Sequence, residues 1–539
     1  MQPTGLHFVD ALGEILAMSD RAGGGIYLGG GPSGPVFAPP EHAALVLGPP
    51  RSGKTSSVVM PNLLAAGSAV VVTSTKRDVL DQSAAARQRI GPCYLYDPSG
   101  SIAAPPGVEL VGWSPLGAAS DWDGALLVSA SMVGASRPGS DRGEALHWSQ
   151  KAHELIATLL HAGALAQLPL SDVLSWVNRH EAGDALSVLA NDAVAIPCDV
   201  LAGIVRTDER EQSGIWSTAS SVLSAYHSPA ALVSASVRPL APADIVEERA
   251  TLYVIAPAER QRLLTPLVAG AIGDVRRAAY TRHSDRPEES TERKAHTAER
   301  PTGERPTGRG AASLLLVLDE LANIAPLHDL PEIVAEGGSQ GVLTLACLQD
   351  LSQARRRWPD LADGFFTLFS AKILLPGIGD TRTIEGVSLL AGEREETIVS
   401  QTTHGRGQGH RQPPSQTLST RRVRRLPPDA IALGRPDKAL VLLGAAHGHV
   451  ELTPFYERSP WREAASGHSV IAGRSWTKVR DQGQDREHPF PSAPEPARSA
   501  MSVEAPPRRS FARRRKGIEG RRAGQPGPHR DNSGPDLLR

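Results

Sequence analysis

Aromatic residues make up only 4% of this 539-residue chain, and its three cysteines, Cys93, Cys198 and Cys347, stand far apart. With no Cys-x-x-Cys pair, neither a zinc site nor a disulfide framework is predicted, and a reducing cytoplasm fits. Charge of one sign is also missing. The formal net charge is −1 at pH 7, so no whole-molecule field drives the chain onto nucleic acid. No apolar run reaches the ~20 residues needed to cross a bilayer, and none resembles a secretory signal. The best N-terminal candidate, Leu6, Phe8, Val9, Leu12, Ile15 and Leu16, is a short amphipathic pattern interrupted by Asp10, Gly13 and Glu14, and it reads as a helix packed on the core. Glycine and proline are plentiful at 52 and 44 residues, which points to long turns and unstructured segments. At this length a single core is too small, so two ordered domains plus tails are expected.

Against that background one short motif stands out. Gly48-Pro49-Pro50-Arg51-Ser52-Gly53-Lys54-Thr55 fits G-x-x-x-x-G-K-[ST], between the apolar run Ala43 to Leu47 and a helix-like stretch from Ser56. The small residues let backbone N–H groups of Gly48, Arg51, Ser52, Gly53, Lys54, Thr55 and Ser56 curl round phosphate oxygens, and the following helix adds its positive end. Lys54 is expected to reach the β- and γ-phosphates of ATP, and the Thr55 hydroxyl to ligate Mg²⁺. Pro49 and Pro50 lack N–H donors but lie at the loop entry.

A second element supplies acid. Leu314 to Leu318 is a continuous apolar run, as for a strand buried on both faces, and it ends in Asp319-Glu320. Ligands of parallel sheets sit beyond the carboxyl ends of the strands. Asp319 is therefore expected to hold the Mg²⁺ shell and Glu320 to polarise the attacking water, with the two motifs brought together across adjacent strands.

The texture of the chain is α/β, then all-α, then α/β. The predicted layout is an N-terminal segment over 1–42 without a transmembrane helix, a nucleotide-binding domain over 43–122 and 246–460, an all-α insertion over 123–245, and a tail over 461–539. Strands are expected at Ala69 to Thr73, Cys93 to Tyr96, Thr251 to Ile255 and Gly341 to Cys347, and a helix at Leu264 to Arg276. Three segments read as disordered or poorly ordered. Residues 281–310 are almost wholly polar and carry the tandem repeat Glu299 to Gly303 and Glu304 to Gly308. Glu393 to Arg425 is rich in His, Gly and Pro and ends in Arg421, Arg422, Arg424 and Arg425. The tail is Pro, Arg, Ser and Gly-rich, and over 501–539 ten Lys or Arg face four Asp or Glu, a net of +6. Such a tail either meets DNA phosphates or anionic lipid, or is simply solvated.

Taken together, Gly48 to Thr55, Met60-Pro61-Asn62-Leu63-Leu64, Val71 to Lys76, Tyr94 to Pro98, Trp113-Ser114-Pro115-Leu116, Leu318 to Leu327 and Cys347 to Gln353 resemble the VirD4/TraG family of type IV secretion coupling proteins. The resemblance spans roughly Ala43 to Phe455. It implies a RecA-like P-loop nucleotide-binding domain with an inserted all-α domain that recognises substrate, assembled as a homo-hexamer. It further implies that the chain recruits single-stranded DNA or a relaxase–DNA complex to type IV secretion channel components and drives conjugative transfer with ATP and Mg²⁺. Carried over by position, Lys54 and Thr55 are the nucleotide and Mg²⁺ ligands, Asp319 and Glu320 the acidic pair, and Gln349 the residue that senses the γ-phosphate. Without the resemblance, a capping or surface role for Gln349 is equally open.

Two departures from the family pattern follow. Relatives generally carry a pair of transmembrane helices ahead of the phosphate loop; here none is found, so either a partner supplies attachment at the inner face of the cell membrane, or the start of the reading frame is displaced, or the chain is of a soluble branch, and membrane association through a partner is the expectation. Where many relatives carry arginine, this chain has Gly337-Gly338-Ser339-Gln340-Gly341, and nothing identifies Arg355, Arg356 or Arg357 as an arginine that acts in trans. Two other functions compete: an intracellular DNA translocase of the FtsK/HerA kind, and a non-catalytic adaptor that binds ATP as a structural ligand.

Overall fold

The computed structural model describes residues 8–136, 143–285, 312–402, 415–466 and 469–471. In chain order its strands are β1 (Phe8–Asp10), β2 (Tyr27–Gly31), β3 (Gly34–Phe37), β4 (Ala44–Leu47), β5 (Ala69–Ser74), β6 (Cys93–Tyr96), β7 (Val108–Leu110), β8 (Thr251–Ile255), β9 (Leu314–Leu318), β10 (Val342–Leu348), β11 (Ala371–Leu374), β12 (Glu393–Thr402), β13 (Ser415–Arg424), β14 (Lys438–Leu443), β15 (Ala446–Glu451) and β16 (Ser469–Ile471). One sheet takes twelve of them, in the order β3-β2-β15-β14-β11-β4-β10-β9-β5-β8-β6-β7. From β11 to β7 neighbouring strands are parallel. From β11 outward to β3 they are antiparallel.

The apolar runs become central strands because alternate side chains enter opposite cores. On β9, Leu314, Leu316 and Leu318 join one core, while Leu315 and Val317 join the other. The second core is closed by helices Ala11–Arg21, Met60–Ala65, Asp78–Arg87 and Trp461–Ser466. The first is closed by the long helix Gln261–Ser284 and by the insertion. This is the α/β architecture expected from the sequence. At the N-terminus Asp10, rather than interrupting the helix, caps it by accepting from Gly13 N at 3.1 Å.

Between β7 and β8 the described chain carries helices, including Trp122–Ser136, Glu144–Leu165 and Glu209–Leu223. The ends of this insertion are clasped together: Gly112 N donates to Arg238 O and Leu240 N to Gly112 O, each at 2.7 Å. Trp113 then lies against Gly270 of the long helix, where an added Cβ would overlap the indole, and its Nε1 donates to buried Asp274 at 2.7 Å.

Several expectations about order are revised. The long helix runs on through Ser284, so the start of the 281–310 segment is helical; 286–311, with the tandem repeat, lies outside the described residues. Glu393 to Arg425 is not poorly ordered throughout: β12 and β13 form an antiparallel ribbon, with 403–414 outside the described residues. The reason is a code that reads only across strands. Glu393 faces Arg424, Glu395 faces Arg422 and Glu396 faces Arg421, opposite charges that stabilise a pair. The tail assigned to 461–539 begins with helix Trp461–Ser466, because Trp461 packs on Tyr27 with ring centroids 5.0 Å apart. Short β16 pairs with β1, and 472–539 lies outside the described residues.

Arg87 is fully buried, and among the described residues no carboxylate pairs with it. Its guanidinium donates to Thr251 Oγ1 at 2.7 Å, Leu63 O at 3.2 Å and Ser68 O at 2.9 Å, and to Ala66 O. Burial pushes its pKa down, yet these acceptors gather the end of helix Met60–Ala65 and the start of β5. Arg87→Ala should lower the unfolding free energy by at least about 3 kcal/mol, since several buried acceptors lose their donor at once; urea denaturation checks this.

Candidate functional site

The loop after β4 turns sharply at the carboxyl edge of the sheet. Arg51 and Gly53 adopt positive φ, +64° and +89°. Gly48 N donates to Leu348 O of β10 at 3.2 Å. A Cβ on Gly48 would come within 2.7 Å of Ser52 Oγ and 2.9 Å of Leu375 Cβ, so only glycine fits. Beyond the loop the chain makes a wide π-turn over Thr55–Val59, closed by Met60 N donating to Thr55 O, before helix Met60–Ala65. Pro61, with no N–H to continue a regular ladder, follows immediately. Asn62 locks this helix to β2, donating to Tyr27 O and accepting from Tyr27 N.

Lys54 is buried, and its ammonium donates to Gly48 O at 2.6 Å and Pro49 O at 3.0 Å, across the mouth of its own loop. Thr55 Oγ1 donates to Asp319 Oδ2 at 2.9 Å. The two motifs therefore meet, but not across adjacent strands as expected: β10 lies between β4 and β9. Burial pushes the Asp319 carboxyl up to about 6; repulsion from Glu320 adds to this, while the Thr55 hydrogen bond and Lys54 oppose it. Thr73 on β5 fixes the strand end by donating to Asp319 O at 2.8 Å.

Glu320 sits in the left-handed region at φ 56° and ψ 39°, a strained state for a side chain of this kind. Its carboxylate accepts from Asn323 Nδ2 at 3.1 Å. Gln349 follows β10 on the same sheet edge, between the phosphate loop and Asp319. Its backbone N–H donates to Gln353 Oε1 at 2.9 Å, and the cap of the next helix is Asp350, accepting from Ser352 N at 2.9 Å. Arg51 is exposed, and Ser56 Oγ donates to Gly53 O within the loop; neither is brought to the acids. Among the described residues, Ser52 Oγ is buried without a hydrogen-bond partner. Sequence reasoning missed Thr73 and Asn323. A hydroxyl in the otherwise apolar run Ala69 to Thr73 was the available signal for the first; no local pattern marks the second.

Chemically, a loop of turned backbone around an orphaned hydroxyl, next to a buried cation, suits a phosphate-bearing ligand. The Thr55 hydroxyl and the Asp319 carboxylate are the hard oxygen donors that Mg²⁺ takes.

Known proteins share this fold. A family model described as the TraM recognition site of TraD and TraG matches residues 313–433. The conjugal transfer protein TraG of Escherichia coli is 23% identical over 365 residues, covering 62% of this chain and 53% of that protein. This chain thus spans about half the length of that curated relative. Among solved structures, the unbound monoclinic form of the bacterial conjugative coupling protein TrwBdeltaN70 superposes with a TM-score of 0.58 at 18% identity, covering 84% of this chain and 95% of that one. The plasmid coupling protein TrwB in complex with the non-hydrolysable ATP analogue ADPNP gives 0.55 at 19% identity, over 77% and 86% of the two chains. At these identities the likeness is one of fold.

Glu320→Gly should relieve the left-handed strain and raise the unfolding free energy by roughly 1 kcal/mol, while Glu320→Val should lower it. Parallel urea titrations of the two variants and the parent chain test the sign.

Proposed function

We propose that this chain, similar to the VirD4/TraG coupling proteins in its family-model match, its curated relative and its fold, is an ATP-dependent motor that recruits a DNA–relaxase substrate to a type IV secretion channel and drives conjugative transfer. The observation that carries the reading is the Thr55–Asp319 hydrogen bond, which joins the phosphate loop to the acidic strand.

In this mechanism Lys54 leaves the Gly48 and Pro49 carbonyls for the β- and γ-phosphates, and the N–H groups from Gly48 to Ser56, with Ser52 Oγ, cradle the phosphate oxygens. Arg51, at the exposed lip of the loop, lies nearest to solvent. Thr55 and Asp319 would hold Mg²⁺. Among the described residues no group of three or more His, Cys, Asp or Glu could hold a metal ion; Thr55 and Asp319 are the protein donors proposed here. Bound there, Mg²⁺ would supply positive charge against the phosphate oxygens. Glu320 accepts a proton from the attacking water, and Gln349 meets the γ-phosphate from the strand between. TrwB has been solved in complex with ADP and Mg²⁺, which supports the same ligands here.

The helical insertion is the cargo-reading part, single-stranded DNA or a relaxase–DNA complex the cargo, and a homo-hexamer the working form. Among the described residues no helix is long and apolar enough to cross a membrane. As part of the same proposal, a partner attaches the chain at the inner face of the cell membrane.

Purified chain should hydrolyse ATP slowly alone and faster with DNA, in a Mg²⁺-dependent way. Lys54→Ala should abolish turnover and weaken ATP binding at least tenfold. Glu320→Gln should bind ATP as the parent does yet lose at least 100-fold in rate, on the scale expected for a lost general base. Calorimetry for binding and phosphate release for turnover separate the two. A chain that binds no ATP removes the proposal at its first step; one that binds ATP but hydrolyses none, with or without DNA, is the adaptor instead.

A further inference from the structure

The short helix Leu321–Ile324 follows Glu320 directly and is held from two sides. Arg357 Nε donates to Ala322 O at 2.7 Å, and Thr265 Oγ1 to Asn323 O at 3.4 Å. Thr265 lies on the long helix one turn beyond Arg262, and Arg357 ends helix Leu351–Arg357 next to Arg356. Arg262 and Arg356 are exposed, Arg357 half-buried. Among the described residues, none of the three pairs with a carboxylate, whereas neighbouring Arg355 is bound to Asp380 at 2.6 Å. Arg262 and Arg356 are close enough to Arg357 that their charge, after burial, helps to depress its pKa. Three uncompensated guanidinium groups thus gather beside the segment that carries Glu320. Asn323, in that segment, donates to Glu320 Oε2, which tethers the carboxylate to its own helix.

We propose that Arg262, Arg356 and Arg357 bind the phosphate backbone of a nucleic acid strand, and that their occupancy is passed to Glu320 through helix Leu321–Ile324, releasing Glu320 from Asn323. The proposal rests on the motor reading above and names its DNA-sensing element. Guanidinium forks match phosphate oxygens in two-point contacts. A phosphate bound side-on through Arg357 Nε takes the donor now given to Ala322 O, so DNA binding loosens the hold on helix Leu321–Ile324, which carries Asn323. Arg262, Arg356 and Asn323 are positioning residues: none touches nucleotide. An acidic peptide would also be attracted, but a strand of regularly spaced phosphates supplies the multiple two-point acceptors that three adjacent forks require.

The test uses full-length protein and single-stranded oligonucleotides, with ATP turnover and fluorescence anisotropy read at several salt concentrations. Arg262→Ala/Arg356→Ala should keep the DNA-free rate within twofold of the parent and lose DNA stimulation. Its salt slope for single-strand binding should become shallower by about 1.4, the loss of two phosphate contacts. Asn323→Ala should raise the DNA-free rate severalfold and respond little to DNA. The inference is overturned if the double variant keeps both the parent's stimulation and its salt slope, or if polyglutamate stimulates the parent where DNA does not. An inactive parent chain would instead remove the motor reading, and the anisotropy slope would still decide whether the arginines hold DNA.

Discussion

From Thr55 to Asp319 a 2.9 Å hydrogen bond spans 264 positions of sequence and the width of one strand. It forms only because β4, β10 and β9 lie side by side in register, with Leu348 beside Leu47 and Ala346 beside Leu318. Parallel strands need long crossovers. The chain accommodates the whole helical insertion within this constraint, between β7 and β8 at the far side of the sheet, where it leaves the spacing of the three site strands untouched.

The electrostatics of the site follow from the same placement. Asp319 is buried deeply enough for its carboxyl to titrate near 6, while the nearest cation, Lys54, is turned to the carbonyls of its own loop. The result is a carboxylate short of positive charge beside an ammonium engaged by weak acceptors. Both are set to respond to a ligand that brings phosphate to one and a hard cation to the other. Two of the eight non-glycine residues with positive φ among the described ones, Arg51 and Glu320, belong to this site, the other six lying elsewhere in the chain.

How far the sequence could be read depended on whether a signal was local. Leu314 to Leu318 and Thr251 to Ile255 appear as strands with the expected bounds, because burial on both faces writes an unbroken apolar run. Lys54, Thr55 and Asp319 could be named from spacing and context, and the structure brings these three together. What stayed hidden is relational. The interposed β10 is a matter of strand order, the charge pairs of the β12–β13 ribbon lie 25 to 31 residues apart, and β2, with three glycines in five residues, carries a weak strand signal. The Asn323–Glu320 bond depends on a backbone twist that composition does not announce.

The clasp at Gly112 joins the two ends of the helical insertion with a pair of backbone hydrogen bonds. Mechanically, entry and exit form a single mooring point. A tug on the helical body is met first by shear along that short parallel bridge and by the Trp113–Asp274 anchor, several strands away from the phosphate loop. Beyond the clasp the load passes into the core that the insertion shares with the sheet face, Leu45 and Leu47 of β4 included, so tension on the helical body reaches the strand that leads into the phosphate loop.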